Sequence, residues 1–336
     1  MDIRILDLDG SLLRQRALLE QHEPRVFPAT DWAPSIRLAC SFRRYRRFER
    51  GLATLLGGSR DNTPSLTFIG SGDFHHVSLA FLRRRPSPCN LLIIDNHPDW
   101  MRGVPFMHCG TWVYHAARLP FVQRIFHVGG DVDFDNYYQW MAPWRLLRSG
   151  RIKVFPGVRQ FTRSAWSAVA NEPVRPSPDT PATAERVSQL LRPYHDELAR
   201  LPLYISLDKD VMLARDAAVN WDSGHLTLAD VQAILSAFLR LSNGQLSGMD
   251  VVGDWSPVRL RGWLRRLMHW TEHPALTIVP DYATRLNAQA NLALLACLRA
   301  TAEKNFRPGG TAVHSQGRES LEAHPPPSIS ALEGRQ

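Results

Sequence analysis

The sequence predicts an α/β fold: three layers, α/β/α, around a mostly parallel central sheet. Two observations carry this. Short apolar runs recur at residues 3–8, 66–69, 91–94, 124–128, 152–155, 203–207 and 249–252. Amphipathic segments lie between several of them, at 36–56, 134–147, 183–201, 228–241 and 258–270. Short runs without polar alternation, interleaved with helical periodicity, are those of buried parallel strands covered by helices on both faces.

The remaining segments complete the plan. A last long helix is expected over residues 285–303. Residues 171–183 are proline-rich and read as a surface loop. From residue 307 onward the chain is rich in Gly, Pro and Ser with little apolar content, the composition of a disordered tail. The expected organisation is one domain over residues 1–304 and a tail over 305–336.

Composition narrows the function classes. With 336 residues, 44% of them hydrophobic, the chain can bury a sizeable core. No apolar stretch approaches the ~18 residues of a membrane span. The opening MDIRILDLDG has no basic region, apolar run and small-residue cleavage site, so no secretory signal is expected. Cys40, Cys89, Cys109 and Cys297 are scattered without a CxxC pair, which fits a reducing, cytoplasmic location. The net charge of +8 comes largely from arginines, such as Arg43, Arg44, Arg46 and Arg47. No zinc finger, RRM or KH signature accompanies them. They read as a solvated surface, and neither a nucleic acid nor a membrane is expected as partner.

Chemistry collects where three strands end. The run 91–94 leads into Asp95-Asn96-His97-Pro98-Asp99, with candidate ligands at i, i+2 and i+4 that share one face in extended backbone. The run 203–207 leads into Asp208-Lys209-Asp210. The run 66–69 leads into Gly70-Ser71-Gly72-Asp73-Phe74-His75-His76, a histidine pair on a glycine-rich turn. In open α/β sheets, sites form at the carboxyl ends of strands. Four carboxylates gathered there repel one another, and two divalent cations remove that conflict. Oxygen and imidazole ligands without thiolate suit Mn²⁺ over zinc.

These residues resemble the arginase/agmatinase (ureohydrolase) family. Its first signature lies without gaps on Gly72-Asp73-Phe74-His75-His76-Val77-Ser78-Leu79-Ala80, which registers His75 as the ligand, with Asp73 in place of the second glycine. Its Asp-Ala-His-x-Asp signature matches Asp95 to Asp99 with Asn96 for alanine. Its Ser-Phe-Asp-x-Asp signature matches Ser206 to Asp210, with Lys209 where an aliphatic residue is usual. Met107-His108-Cys109-Gly110-Thr111 is similar to its His-Gly-Thr with Cys109 inserted. Further similarity runs through His127–Asp133, Ser223–Thr227 and Ser247–Val252, so the resemblance spans about residues 66 to 300.

The resemblance implies an arginase-like fold and two Mn²⁺ per chain held by His75, Asp95, His97, Asp99, Asp208 and Asp210. It implies hydrolysis of a C–N bond in a small cationic guanidino or related compound, with release of urea. Asp99 is the expected proton carrier within the ligand set, and His108 the expected proton shuttle or substrate contact. The family's guanidinium-binding glutamate falls on Gly253, or on Asp254 if the register is anchored on Pro257. Asp254 is therefore expected to hold the substrate cation, and Asp131 to contact its amine tail. Family members often form trimers or hexamers, so a homo-oligomer is possible.

Three other readings remain. A metal-dependent deacetylase of acylated amines would share the superfamily, and the His75-His76 pair is similar to its paired histidines. A non-catalytic protein would keep the fold and metals without turnover. Asp7-Leu8-Asp9-Gly10-Ser11 resembles the first motif of haloacid-dehalogenase-type phosphatases; alternatively it is a turn after the first strand.

Overall fold

A computed structural model describes residues 1–306 apart from 59–62, 86, 135, 162–164, 261 and 274–276. Its strands are β1 (Asp2–Asp7), β2 (Arg25–Pro28), β3 (Ala39–Cys40), β4 (Ser65–Gly70), β5 (Cys89–Asp95), β6 (Met107–His108), β7 (Val122–Gly129), β8 (Ile152–Phe155), β9 (Leu203–Asp208) and β10 (Leu246–Val252). Eight of them form one sheet in the order β2-β1-β4-β10-β9-β5-β7-β8. Every pairing in it is parallel. β3 and β6 form a small antiparallel pair of their own.

The apolar runs fill both faces of this sheet. Leu92 and Ile94 of β5, with Leu203, Ile205 and Leu207 of β9, pack against helices Ala184–Leu190, His195–Arg200 and Leu228–Leu241 and the later part of Pro280–Phe306. Leu91 and Ile93, with Ile69, Val122 and Val154, pack on the other face against Phe42–Leu55, Ser78–Arg83, Trp112–Ala116 and Trp144–Arg148. Successive residues of a strand alternate faces, so runs without polar alternation belong to a sheet buried twice. The predicted three-layer α/β architecture is the one found.

Several helix predictions need correction. Residues 36–56 are not one helix. A short helix ends at Ile36, Leu38 takes a left-handed φ of 66°, β3 follows, and Phe42–Leu55 starts where the Ser41 side chain accepts from the Arg44 N–H. Residues 134–147 form a 3₁₀ turn, Tyr137–Met141, and a short helix, Trp144–Arg148, separated at Pro143. Residues 183–201 split into two helices around a turn that contains Pro193. The segment expected at 258–270 is Trp263–Glu272, and the last helix extends to Pro280–Phe306. The helix expected at 228–241 is Leu228–Leu241, started by a reciprocal Thr227–Asp230 cap. The one strand of the eight-stranded sheet that was missed, β2, is mostly exposed at the sheet edge and ends in Pro28, so it carries no apolar run; β3 and β6, of two residues each, were missed as well.

Of the tail expected over residues 305–336, residues 305 and 306 end the last helix and the rest lies outside the described residues. Among those described, no helix is long and apolar enough to cross a membrane.

Candidate metal centre

The centre of the sheet, β4-β10-β9-β5, delivers the candidate ligands from its carboxyl ends. His75 sits on the 3₁₀ turn Gly72–Val77 after β4. Asp95 ends β5, and Asp208 ends β9, followed by the turn Lys209–Val211. β10 lies between β4 and β9 and is followed by Gly253, whose φ is +94°. A Cβ at Gly253 would lie 2.5 Å from Asp208 Oδ1 and 2.6 Å from the Lys209 amide nitrogen. The missing side chain is what lets Asp208 stand where it does.

Five of the six residues assemble into two overlapping groups, and Asp208 stands beside the first. His75 Nδ1 lies 3.1 Å from Asp95 Oδ2, 2.9 Å from Asp99 Oδ2 and 3.5 Å from Asp208 Oδ2. His97 Nδ1 lies 2.8 Å from Asp210 Oδ2 and 4.0 Å from Asp95 Oδ1. His75, Asp95 and Asp99 form one set of mutually close ligand atoms; Asp95, His97 and Asp210 form the other. Asp95 belongs to both. The expected i, i+2, i+4 alternation is not how they meet, because β5 stops at Asp95 and Asp99 has a left-handed φ of 51°. That turn brings its carboxylate back toward His75.

Hydrogen bonds aim these groups. Asp95 Oδ1 accepts from the His97 amide at 2.7 Å, and Asp210 Oδ1 from the Asn96 amide at 3.1 Å. Trp112 Nε1 donates to Asp99 Oδ2 at 3.0 Å. His75 Nε2 lies 3.0 Å from Ser206 Oγ, and Ser206 Oγ donates to Asp250 Oδ1 at 2.7 Å. Asp250 also accepts from Ser78 and Tyr204. The serine proton is committed to Asp250, so the serine oxygen accepts from His75 Nε2–H. The Nδ1 lone pair is then free for the carboxylate side. Such a partner on the far ring nitrogen is the usual support of a metal-binding histidine.

The electrostatics call for cations. Burial, then repulsion from Asp99, raises the Asp95 carboxyl above the usual range. Burial and Asp210 push Asp208 well up, and burial with Asp95 raises Asp210. Burial opposes protonation of His75 and His97. Asp95 and Asp99 around the first, and Asp210 beside the second, outweigh it and raise both rings well above the ordinary histidine value. His75 Nδ1 and Asp95 Oδ2 are buried without a hydrogen-bond partner. With the ring proton on Nε2 these are two acceptors facing each other at 3.1 Å, and a proton or another positive centre between them relieves the conflict. With four carboxylates and two imidazoles, this donor set fits two hard or borderline divalent ions.

A cavity opens onto the site. It is lined by Asp95, His97, Asp99, Asp208 and Asp210, and walled by Trp100, Met101, Tyr138 and Trp221. His108, Asp133 and Glu272 complete its polar lining. His108 Nδ1 accepts from the Gly110 amide at 2.9 Å, so the ring carries its proton on Nε2, 3.1 Å from Glu272 Oε2.

No protein-family model matches the chain. An uncharacterized protein of Thermotoga maritima is 23% identical over 260 residues, covering 76% of this chain and 81% of that protein. Among solved structures, proclavaminate amidino hydrolase from Streptomyces clavuligerus matches with a TM-score of 0.51 and 16% identity, over 90% of this chain and 92% of that one. Arginase from Bacillus subtilis matches with a TM-score of 0.51 and 10% identity, over 88% and 98%. Formimidoylglutamase from Bacillus subtilis matches with a TM-score of 0.51 and 12% identity, over 89% and 87%. The chain has the arginase fold.

On this arginase fold, some expected site residues stand elsewhere. Asp254 does not line the cavity. It is fully buried, with Oδ1 2.9 Å from Lys209 Nζ and accepting from Gln15 Nε2 at 2.6 Å. Its charge is already matched, so it does not present the free carboxylate expected of a substrate cation site. Asp131 Oδ1 accepts from the Gly157 and Arg159 amides and Oδ2 from that of Val158, which spends the side chain on holding a loop. His76 is buried against Tyr45, away from the cavity lining, and burial pushes its ring down to about 3.

Asp7 and Asp9 serve the turn after β1. Asp7 accepts from the Gly10 amide, while Asp9 accepts from Ser11, Ser256 and the Ser71 amide. The sequence reading missed Glu272, Asp133, Tyr138 and Trp221. Asp133 closes the similarity over His127–Asp133 but carried no role there; no local motif marks the other three, because they reach the cavity from loops and from a helix far along the chain.

Proposed function

We propose that this chain is a binuclear manganese-dependent hydrolase of the ureohydrolase type, cleaving a C–N bond of a small guanidino or related amidine compound and releasing urea. The observation that carries the reading is the pair of overlapping ligand groups, joined through Asp95, at the carboxyl ends of β4, β9 and β5 in an arginase fold. His75, Asp95, Asp99 and Asp208 would hold one ion; Asp95, His97 and Asp210 would hold the other. Bound there, divalent ions supply Lewis acidity and lower the pKa of water.

The chain's own residues supply the rest. Trp112 holds Asp99, and the Ser206–Asp250 pair holds His75, so the ligand atoms are fixed in advance. Trp100, Met101 and Trp221 exclude bulk water from the cavity. His108, its Nε2–H held by Glu272, is placed at the cavity as a substrate contact, or as a shuttle that takes up one proton as it passes on another, and Glu272 orients the ring.

A urea- and ammonia-release screen over guanidino substrates with added Mn²⁺ tests the reading; no release from any of them sinks it. His108→Gln should lower kcat by about 10²–10⁴-fold, the range of a lost general acid–base group, with manganese content unchanged. Unchanged kcat would remove His108 from the mechanism.

A further inference from the structure

The carboxylate that the sequence register places at Gly253 or Asp254 is not available to the cavity. Gly253 has no room for a side chain beside Asp208, and Asp254 is neutralised by Lys209. The cavity nevertheless contains two carboxylates outside the ligand groups, Glu272 and Asp133. We propose that Glu272, with Asp133, is the cation-recognition pair of this site, and that the compound it takes is a cation with a second amine and no carboxylate. This rests on the ureohydrolase reading only for the nature of the reacting group.

Three observations support it. First, Glu272 is the last residue of helix Trp263–Glu272. A carboxylate there faces the negative end of the helix dipole and gains nothing from it. Its side chain is only 18% exposed and turns toward His108, into a cavity already crowded with aspartates. As a purely structural choice that placement is costly; a bound cation relieves it.

Second, two divalent ions would balance the four ligand aspartates, so the charges of Glu272 and Asp133 are left over for the substrate. Third, among the described residues lining the cavity there is no lysine or arginine. A substrate carboxylate would therefore meet acidic groups and no partner. The aromatic walls, Trp100, Tyr138 and Trp221, suit a cationic head and an apolar spacer.

Calorimetric titration of the manganese-loaded chain tests this. The titrants are agmatine (a guanidino amine), arginine (which adds a carboxylate) and putrescine (an amine dication without a guanidino group). The wild type should bind agmatine at least about tenfold more tightly than arginine. Glu272→Gln should weaken agmatine binding at least about tenfold, the scale of one lost charge-assisted contact, with metal content and melting temperature unchanged. Glu272→Asp should recover part of the loss.

Agmatine affinity unaltered in Glu272→Gln overturns the assignment, as does a wild type that binds none of the three. Equal affinity for arginine overturns the carboxylate-free substrate class. Glu272-dependent binding of putrescine without any binding of agmatine keeps the cation pair and overturns the ureohydrolase reading instead.

Discussion

Asp95→Asn should abolish both manganese sites at once, and with them the hydrolysis. Asp95 belongs to both ligand groups, and no other side chain does. Loss of a residue that merely orients a ligand typically costs 10–100-fold in metal affinity; loss of a shared ligand should exceed the upper figure for each ion. The metal-free protein should respond in the opposite sense. Burial and Asp99 raise the Asp95 carboxyl, so its charge is unfavourable in the empty fold at neutral pH. Asparagine keeps the acceptor for the His97 amide and removes that charge.

The variant should therefore melt at or above the metal-free wild type, yet gain nothing from Mn²⁺. The wild type should gain about 2.7 kcal/mol when the metal stands at 100 times its dissociation constant. Thermal unfolding of both proteins with and without Mn²⁺ measures this. A manganese-induced rise in Asp95→Asn equal to that of the wild type would contradict the assignment of Asp95.

Asp73→Asn should cost about 3–5 kcal/mol of stability, the penalty for breaking a buried pair and stranding its partner. Asp73 is fully buried, with Oδ2 2.6 Å from Arg37 Nε and Oδ1 2.7 Å from His273 Nε2. Arg37 is 3% exposed and also donates to the Ser256 hydroxyl and the Pro257 carbonyl. Burial opposes ionisation of Asp73, but Arg37 and His273 outweigh it and hold the carboxyl well below the usual carboxylate range. A depressed carboxyl stabilises the fold fully above its unfolded value, about 3.9, and the contribution is lost as pH falls toward the folded value.

The wild type should accordingly lose this stability on acidification below about pH 4, and Asp73→Asn should show a weaker acid dependence there. Denaturant unfolding at neutral and acid pH reads both effects. A change within about 0.5 kcal/mol, the usual range for surface substitutions, would show that the pair does not support the turn carrying His75.

What the sequence made legible follows from how local each signal is. Seven strands were visible because a strand buried on both faces writes an uninterrupted apolar run. β2 was not, since it is exposed and closed by Pro28. The site's ligand candidates stood out because Asp95–Asp99 and Asp208–Asp210 are short motifs at strand ends. Their manner of meeting was not legible, because it depends on the left-handed backbone of Asp99.

The settings of Asp254 and Asp131 were not legible for the opposite reason. Their partners lie far away in sequence or across a loop: Lys209, Gln15 and the amides of residues 157–159. Lys209, which replaces the usual aliphatic residue, forms an ion pair with Asp254 Oδ1 in the core. Glu272 had no pattern to announce it, since only the folded helix brings it to His108.

The central claim is a site for two divalent ions, and metal stoichiometry tests it most directly. After incubation with Mn²⁺ and removal of free metal, elemental analysis of the full chain should find two manganese ions per chain, with a marked loss in His97→Ala and in Asp208→Ala. No bound manganese in the wild type, or a content unchanged in both variants, would contradict the account.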